Sequence, residues 1–354
     1  MLDQIQEREH PYLIAEIGVN YFDIAEQQNI SPIAAAKEMV TEAATAGVDA
    51  VKFQSYSADQ LASKNSPAYW DTNEESTESQ HELFSQYDDF GATEFEEIAE
   101  WTAENHDVDF LSTPFDFHAV EYLEELVPAY KIASADITNH PLLRRIAQTE
   151  KPILLSTGAS TISEIDDAVR VIEEEVNDPE ICLLHCILQY PTDPENANLA
   201  MIDYLDEMYP EYTAGYSDHV PPDDGMVTLL NSVVNGAKVI EKHFTLDKSL
   251  EGNDHYHAMD PKDIRKFREN IDLLSTTTGQ SRKKPISVEA NSREFARRSL
   301  VAATDIQQGE EISQEQLTVK RPGTGIQPTM IDIVLGRQTK KQIQSDEIIT
   351  WDMI

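Results

Sequence analysis

Lysines, hydroxyls, carboxylates and imidazoles recur in this chain at one kind of place, the polar end of a short apolar run. Glu16, Lys52 with Gln54, Thr113, Lys131 with Ser134, and Ser156 stand there, as do Tyr190, Ser217 with Asp218 and His219, and Glu241 with His243. One lysine at such a position is commonly a snorkelling or ion-paired side chain. A whole set converging on one place would repel or desolvate itself unless a ligand compensates it. Two lysines supply charge and several hydroxyls supply hydrogen bonds, which suits a small phosphorylated carboxylate. His219 and His243, at the ends of neighbouring strands, can meet across the ~5 Å spacing of a sheet and share a divalent metal with waters. His255 and His257 form a rival His-x-His pair, but fall in a loop and rank below.

The elements that must position these groups follow from hydrophobic periodicity. Eight strand-like runs, at 12–18, 48–54, 108–114, 129–134, 152–158, 181–186, 213–219 and 237–244, alternate with helical patterns. Such alternation means parallel βα units. In the helix predicted over 31–47, Ser31 caps, Pro32 opens, Ala36, Met39, Val40 and Ala43 form the apolar face, and Gly47 closes. Further helices are predicted over 94–105, 118–126, 141–149 and 163–175. Eight units in about 250 residues match the α/β class and the (β/α)8 TIM barrel, whose active sites lie at the C-terminal ends of the strands. An open doubly wound sheet is the runner-up, but no GxGxxG follows the first strand and no GxxxxGK[ST] loop occurs. Residues 55–91 are too long for an ordinary βα loop, polar and acidic, and read equally as an active-site lid or an irregular insertion. The barrel is predicted to span 1–279, a basic aperiodic linker 280–292, and a small β-rich domain 293–354. Strand-like pieces at 298–304, 311–312, 316–320 and 347–351, split by turn residues, mark that last domain.

Composition narrows the partners. The 354 residues carry 27 Lys and Arg against 65 Asp and Glu, a formal net charge of −38. That field repels phosphodiester backbones, so nucleic acid is not an expected partner. The acidic residues are interleaved with apolar ones, as in EFEEIAE at 94–100, so the chain is a folded one. A self-repelling acidic surface is screened by salt, which points to a halophile's cytoplasm. No run of 18 apolar residues and no apolar leader follow the charged N-terminus, so a soluble, cytoplasmic protein without a membrane partner is expected. Cys182 and Cys186 would lie ~13 Å apart along a strand, too far for a disulfide, and are read as core or pocket-lining thiols.

The motifs in sequence resemble the N-acetylneuraminate (sialic acid) synthase family over nearly the whole chain. The matching stretches are AEIGVN at 15–20, DAVKFQ at 49–54, FLSTPFD at 110–116, KIAS with DITNHPLL at 131–143 and ILLSTGAST at 153–161. YPT at 190–192, GYSDH at 215–219, EKHFTLD at 241–247 and KRPGTGI at 320–326 complete them. The resemblance implies a barrel that condenses phosphoenolpyruvate with an open-chain N-acetylated hexosamine, typically N-acetylmannosamine, to give N-acetylneuraminate and phosphate. It also implies a C-terminal antifreeze-like (SAF) domain of the β-clip type. Lys52, Thr113, Lys131, Ser134, Ser156 and Ser217 would hold phosphoenolpyruvate, and His219 and His243 a divalent metal, Mn2+ or else Mg2+ or Co2+. Glu16 would contact the metal-bound or attacking water and Glu241 would lie beside the metal, so that Glu16, Lys52, Lys131 and Glu241 form the catalytic set. Gln54, Asp136, Tyr190, Asp254 and Arg321 would face the sugar. Arg321 would come from the antifreeze-like domain of a second copy, in a domain-swapped homodimer whose basic stretch 282–284 spans the distance.

Three departures from the family pattern bear on the sugar more than on the reaction. Tyr21 stands where a His is usual, before the longer FDIAEQQNI; Asp136 replaces a Glu; and Leu188 replaces a polar residue expected near the phosphate. Legionaminic or pseudaminic acid synthesis from a related amino sugar is therefore the alternative activity. A non-catalytic sugar-binding homologue is disfavoured because Glu16, both lysines and both histidines are kept. A condensing barrel of the shikimate type is disfavoured by KRPGTG and by the lack of a basic cluster for a second phosphate.

Overall fold

The computed structural model describes residues 1–68, 70, 72, 76–252 and 254–354. They fall into two compact units, Met1–Gly279 and Gln280–Ile354.

The first unit is a TIM barrel. Its strands are β1 (Tyr12–Gly18), β2 (Ala50–Ser55), β3 (Asp109–Pro114), β4 (Tyr130–Ile132), β5 (Ile153–Ser156), β6 (Ile181–Cys186), β7 (Thr213–Asp218) and β8 (Val239–His243). They pair in the order β3-β2-β1-β8-β7-β6-β5-β4, every ladder parallel. The two ends of that order, β3 and β4, lie side by side, so the sheet is nearly closed.

Side chains alternate across a strand, and the alternation builds two cores. Leu13, Val51, Phe110, Leu183 and Ile240 pack outward against the helices. Ile14, Ala50, Leu111, Leu154, Leu184 and Val239 fill the barrel floor, joined by Leu2 and Ile5 of the short helix Leu2–Gln6. Two residues further along each strand the same interior receives Glu16, Lys52, Thr113, Ser156, Cys186 and Glu241. The helix Pro32–Ala46 shows how local signals hold the outer layer. Ser31 Oγ accepts from the amide of Ala34, and Gly47 ends the helix at φ 108°, a conformation that side chains with a Cβ rarely adopt.

Gly215 on β7 has no room for a Cβ. An added methyl would overlap Leu184 Cδ2 and approach the Val239 carbonyl oxygen to 2.7 Å. Gly215→Ala is expected to destabilise the barrel by about 1–3 kcal/mol through overpacking. Urea unfolding of the variant beside the parent checks this, and an unchanged midpoint would contradict it.

Within 55–91 the chain forms two short helices, Ala58–Leu61 and Gln80–Gln86; residues 69, 71 and 73–75 lie outside the described residues. Tyr56 anchors this insertion by ring contacts with Phe84 at 5.5 Å and Phe115 at 6.1 Å.

In the second unit β9 (Ser299–Ala302) pairs antiparallel with β10 (Leu317–Lys320) over a core of Leu300, Ile306, Ile312, Val334, Ile343 and Ile349. The stretches at 311–312 and 347–351 differ from the strand expectation. Each contributes one isolated bridge, Glu311 to Gln338 and Ile348 to Val301, because turn residues interrupt them before a ladder can extend. The aperiodic stretch 280–292 is also not wholly irregular. Glu289 accepts from the Ile286 amide at 2.9 Å and starts a turn, Ser287–Glu289, that runs into the helix Ala290–Phe295. No helix among the described residues is long and apolar enough to cross a membrane.

Candidate active site

The strand ends of the barrel open into a cavity of about 370 Å³. Glu16, Lys52, Gln54, Thr113, Lys131, Ser134, Asp136, Ser156, Tyr190, Ser217, His219, Glu241, His243 and Asp254 all line it. Of the positions singled out in sequence, Arg321 belongs to the second unit, where it is exposed. Asp218 is turned the other way, as strand alternation requires between Ser217 and His219. Its carboxylate accepts from Lys242 Nζ at 2.6 Å and from the Tyr216 hydroxyl at 2.7 Å, on the outer face of the sheet.

At the base of the cavity two buried lysines alternate with two buried carboxylates. Lys52 Nζ lies 2.5 Å from Glu16 and 3.6 Å from Glu241, and donates to Thr113 Oγ1 at 2.9 Å. Lys131 Nζ lies 3.5 Å from Glu241, which also accepts from Ser217 Oγ at 3.0 Å. Gln54 donates to the other oxygen of Glu16 at 2.9 Å. The two carboxyls respond differently to this shared burial. Burial dominates at Glu16 and, with the nearby Glu241 charge, outweighs Lys52, so its pKa rises to about 7. At Glu241 burial is opposed by Lys131 and Lys52 together, which hold it below the usual carboxylate value. Burial also lowers Lys131. Around this core Ser134 Oγ accepts from the Gly158 amide at 2.9 Å, and the buried Ser156 hydroxyl has no hydrogen-bond partner.

Imidazoles crowd the opposite side. The rings of His219 and His243 are 5.6 Å apart, those of His243 and His257 5.0 Å, and Tyr190 lies 4.1 Å from His219. Ligand-capable atoms of His243, Asp254 and His257 lie within 4.8 Å of one another. Burial, reinforced by neighbouring histidines, pushes His243 and His257 well below the usual imidazole value. Both are therefore neutral, the form that binds a metal. Burial raises Asp254 to about 6. Nδ1 of His243 and both ring nitrogens of His257 are buried without a hydrogen bond, so this corner fits a divalent ion. His219 Nδ1 is hydrogen-bonded to the Ile187 carbonyl at 2.8 Å and lies 3.8 Å from Cys186 Sγ. Of the two thiols, Cys182 is in the barrel floor and Cys186 lines the cavity.

Comparison with known proteins follows the same lines as the geometry. Residues 39–283 match the NeuB family, and residues 297–354 match the SAF domain. The chain belongs to the NeuB family. An uncharacterized protein of Methanocaldococcus jannaschii is 41% identical, covering 97% of this chain and 94% of that one. An N,N'-diacetyllegionaminic acid synthase of Legionella pneumophila is 33% identical, covering 97% and 94%. Among solved structures, an N-acetylneuraminic acid synthetase from Leptospira borgpetersenii superposes with a TM-score of 0.68 at 30% identity, covering 80% and 90%. This NeuB family chain is thus related to synthases of nine-carbon acidic sugars.

Two parts of the NeuB site escape a reading of sequence. His257 is fully buried and packs against His243 and Asp254 without lining the cavity itself, while its loop neighbour His255 is engaged elsewhere, with Thr245 at 2.7 Å and Asp23 at 3.0 Å. The insertion contributes an apolar wall, Tyr56, Leu61, Leu83 and Phe84, to which Phe115 and Leu188 are added. The His-x-His spacing was the one available signal for the first; the polar composition of 55–91 concealed the second.

Proposed function

We propose that the chain condenses phosphoenolpyruvate with an unphosphorylated, open-chain N-acetylated hexosamine, N-acetylmannosamine or a close relative, releasing phosphate and a nonulosonate. The observation that carries this reading is the ring of two buried lysines and buried hydroxyls, Thr113, Ser134, Ser156 and Ser217, at the base of a cavity whose far side fits a divalent ion. Lys52 and Lys131 hold the phosphate and carboxylate, exchanging part of their pairing with Glu16 and Glu241 for the ligand's charges. Ser156 donates its unpaired hydroxyl to the same anion. A divalent ion at His219 and His243, Mn2+ or a similar one, polarises the acceptor's aldehyde oxygen when bound.

Carbon C3 of the enol phosphate then bonds to the aldehyde carbon, and water adds at C2. Glu16 takes a proton from that water; the water's two protons end on the new hydroxyl and on the phosphate, which leaves by C–O cleavage. Gln54, Asp136 and Tyr190 orient the sugar. The apolar wall favours an acceptor with acetamido or deoxy substituents. Among the described lining residues the only lysines or arginines are Lys52 and Lys131, both given to phosphoenolpyruvate in this reading, so the barrel unit itself offers no further cation to a phosphate on the acceptor. The sugar contact of Arg321 and the homodimer that supplies it belong to the same reading.

Phosphate release from phosphoenolpyruvate, measured with Mn2+ in high salt, tests it. Release is expected with N-acetylmannosamine or with the amino sugars that lead to legionaminic and pseudaminic acids. It should be weaker with N-acetylmannosamine 6-phosphate and abolished by EDTA. No release with any of these acceptors from folded, metal-loaded protein would refute the proposal.

A further inference from the structure

We infer that Asp23 is a positioning residue for the acceptor side of the cavity, and that the helix carrying it is a junction between two of the cavity's walls. That this side receives the acceptor rests on the proposed function; the junction itself rests on geometry. Asp23 lies on the helix Tyr21–Gln28, soon after β1, in the stretch where the sequence leaves the family pattern. This helix meets the insertion through aromatic rings. Tyr21 stacks on Phe90 with ring centroids 4.8 Å apart, and Phe22 meets Tyr87 at 5.6 Å and Phe90 at 5.5 Å. It also holds the loop that follows β8. Asn20, at the helix N-cap, donates to the Phe244 carbonyl at 3.1 Å, and Gln27 donates to Asp247 at 2.8 Å.

Asp23 joins the two sides. One carboxylate oxygen accepts from the Tyr87 hydroxyl at 3.4 Å and the other from His255 Nε2 at 3.0 Å, while His255 Nδ1 pairs with the Thr245 hydroxyl at 2.7 Å. His255 and Thr245 are fully buried, so water cannot replace a lost member of this chain of bonds. Both ends of the chain reach the cavity. Tyr87 lines it from the insertion, and Asp254 and Tyr256, the residues on either side of His255, line it from the loop. Asp23 is not among the described lining residues, so it acts through these three. A change at Asp23 therefore shifts both walls, whereas Lys52, Lys131 and their carboxylates are fixed by the strand ladders.

Two measurements on the full-length protein test this. Native-state hydrogen exchange in sub-denaturing urea should show the amides of 84–90 and 254–259 opening as one unit in the parent. In Asp23→Ala both segments should exchange roughly 10-fold faster, and Asp23→Asn, whose amide can still pair with Tyr87 and His255, should restore most of the protection. Independent openings in the parent, or faster exchange of only one segment or of neither in Asp23→Ala, would overturn the junction. The parent experiment decides alone if Asp23→Ala does not fold. Steady-state phosphate release should show, in Asp23→Ala, an acceptor KM raised about 10-fold, with kcat and the KM for phosphoenolpyruvate held within about two-fold. An unchanged acceptor KM, or an equal rise for both substrates, would overturn the positioning role. No release from the parent with any acceptor would count against the proposed reaction and leave the junction to be decided by exchange.

Discussion

Glu16→Gln is expected to lower kcat for phosphate release by roughly 10²–10⁴, the range general acid–base groups contribute. The substitution keeps the volume and the hydrogen bond with Gln54 feasible while removing the only carboxyl in the lysine layer that titrates near neutrality. Glu16 is raised to about 7, chiefly by burial, whereas Glu241 is held low by its two lysines. Two carboxyls driven apart in this way take different roles, one exchanging protons and one remaining a fixed charge. The sign follows: Glu16 accepts a proton only when ionised, so kcat/KM of the parent enzyme should rise with pH through about 7. In Glu16→Gln that limb should vanish. A variant with the parent's pH profile would remove Glu16 from the chemistry.

Lys52→Met should be the most damaging single change to stability. Both neighbouring carboxyls are buried, with Glu16 3% and Glu241 6% exposed, and Lys52 lies against each of them. Removing one partner from a buried charge group typically costs about 3–5 kcal/mol, because the remaining charges stay out of water. The deficit should depend on pH. At pH 5.5 Glu16 is protonated and its repulsion with Glu241 is reduced; above pH 7 the variant, without the Lys52 charge that lowers Glu16, must either hold that proton or bury a second unpaired carboxylate, and both cost stability. Urea unfolding at the two pH values should therefore show the larger loss at the higher one. An equal loss at both would mean that Lys52 acts through packing alone. The same variant should lose saturation by phosphoenolpyruvate at any accessible concentration.

The parts of the site that were legible in sequence are those governed by a strict period. On β1, Ile14 is floor and Glu16 is site; on β8, Val239 is floor and Glu241 and His243 are site. Knowing that a run is a barrel strand fixes which of its residues share the interior. The same rule turns Asp218 outward to Lys242, although its position between Ser217 and His219 suggested a place in the cavity. Loops offer no such rule. Nothing in the spelling of residues 253–259 says that one histidine is anchored to Asp23 and the other packed against His243. In the insertion, Leu83 and Phe84 sit on a helix of seven residues, too short for periodicity to reveal an apolar face within an acidic stretch. In the second unit, single bridges need two distant residues to meet, and local propensity at 311–312 and 347–351 does not encode that.

The cavity's two halves have different ancestries in the chain. Its charged base, Glu16, Lys52, Lys131 and Glu241, is assembled from four strands scattered over more than two hundred residues, so any change there must be reconciled with all the others. Most of its apolar wall comes from one contiguous insertion between β2 and β3. Substitutions within that insertion can accumulate, or the whole stretch can be exchanged, without disturbing the lysines and carboxylates beneath. Under the proposed condensation, a lineage built this way would change its acceptor through the insertion while the bond-forming chemistry stayed fixed, and exchange of 55–91 between relatives should alter acceptor preference before it alters turnover of phosphoenolpyruvate.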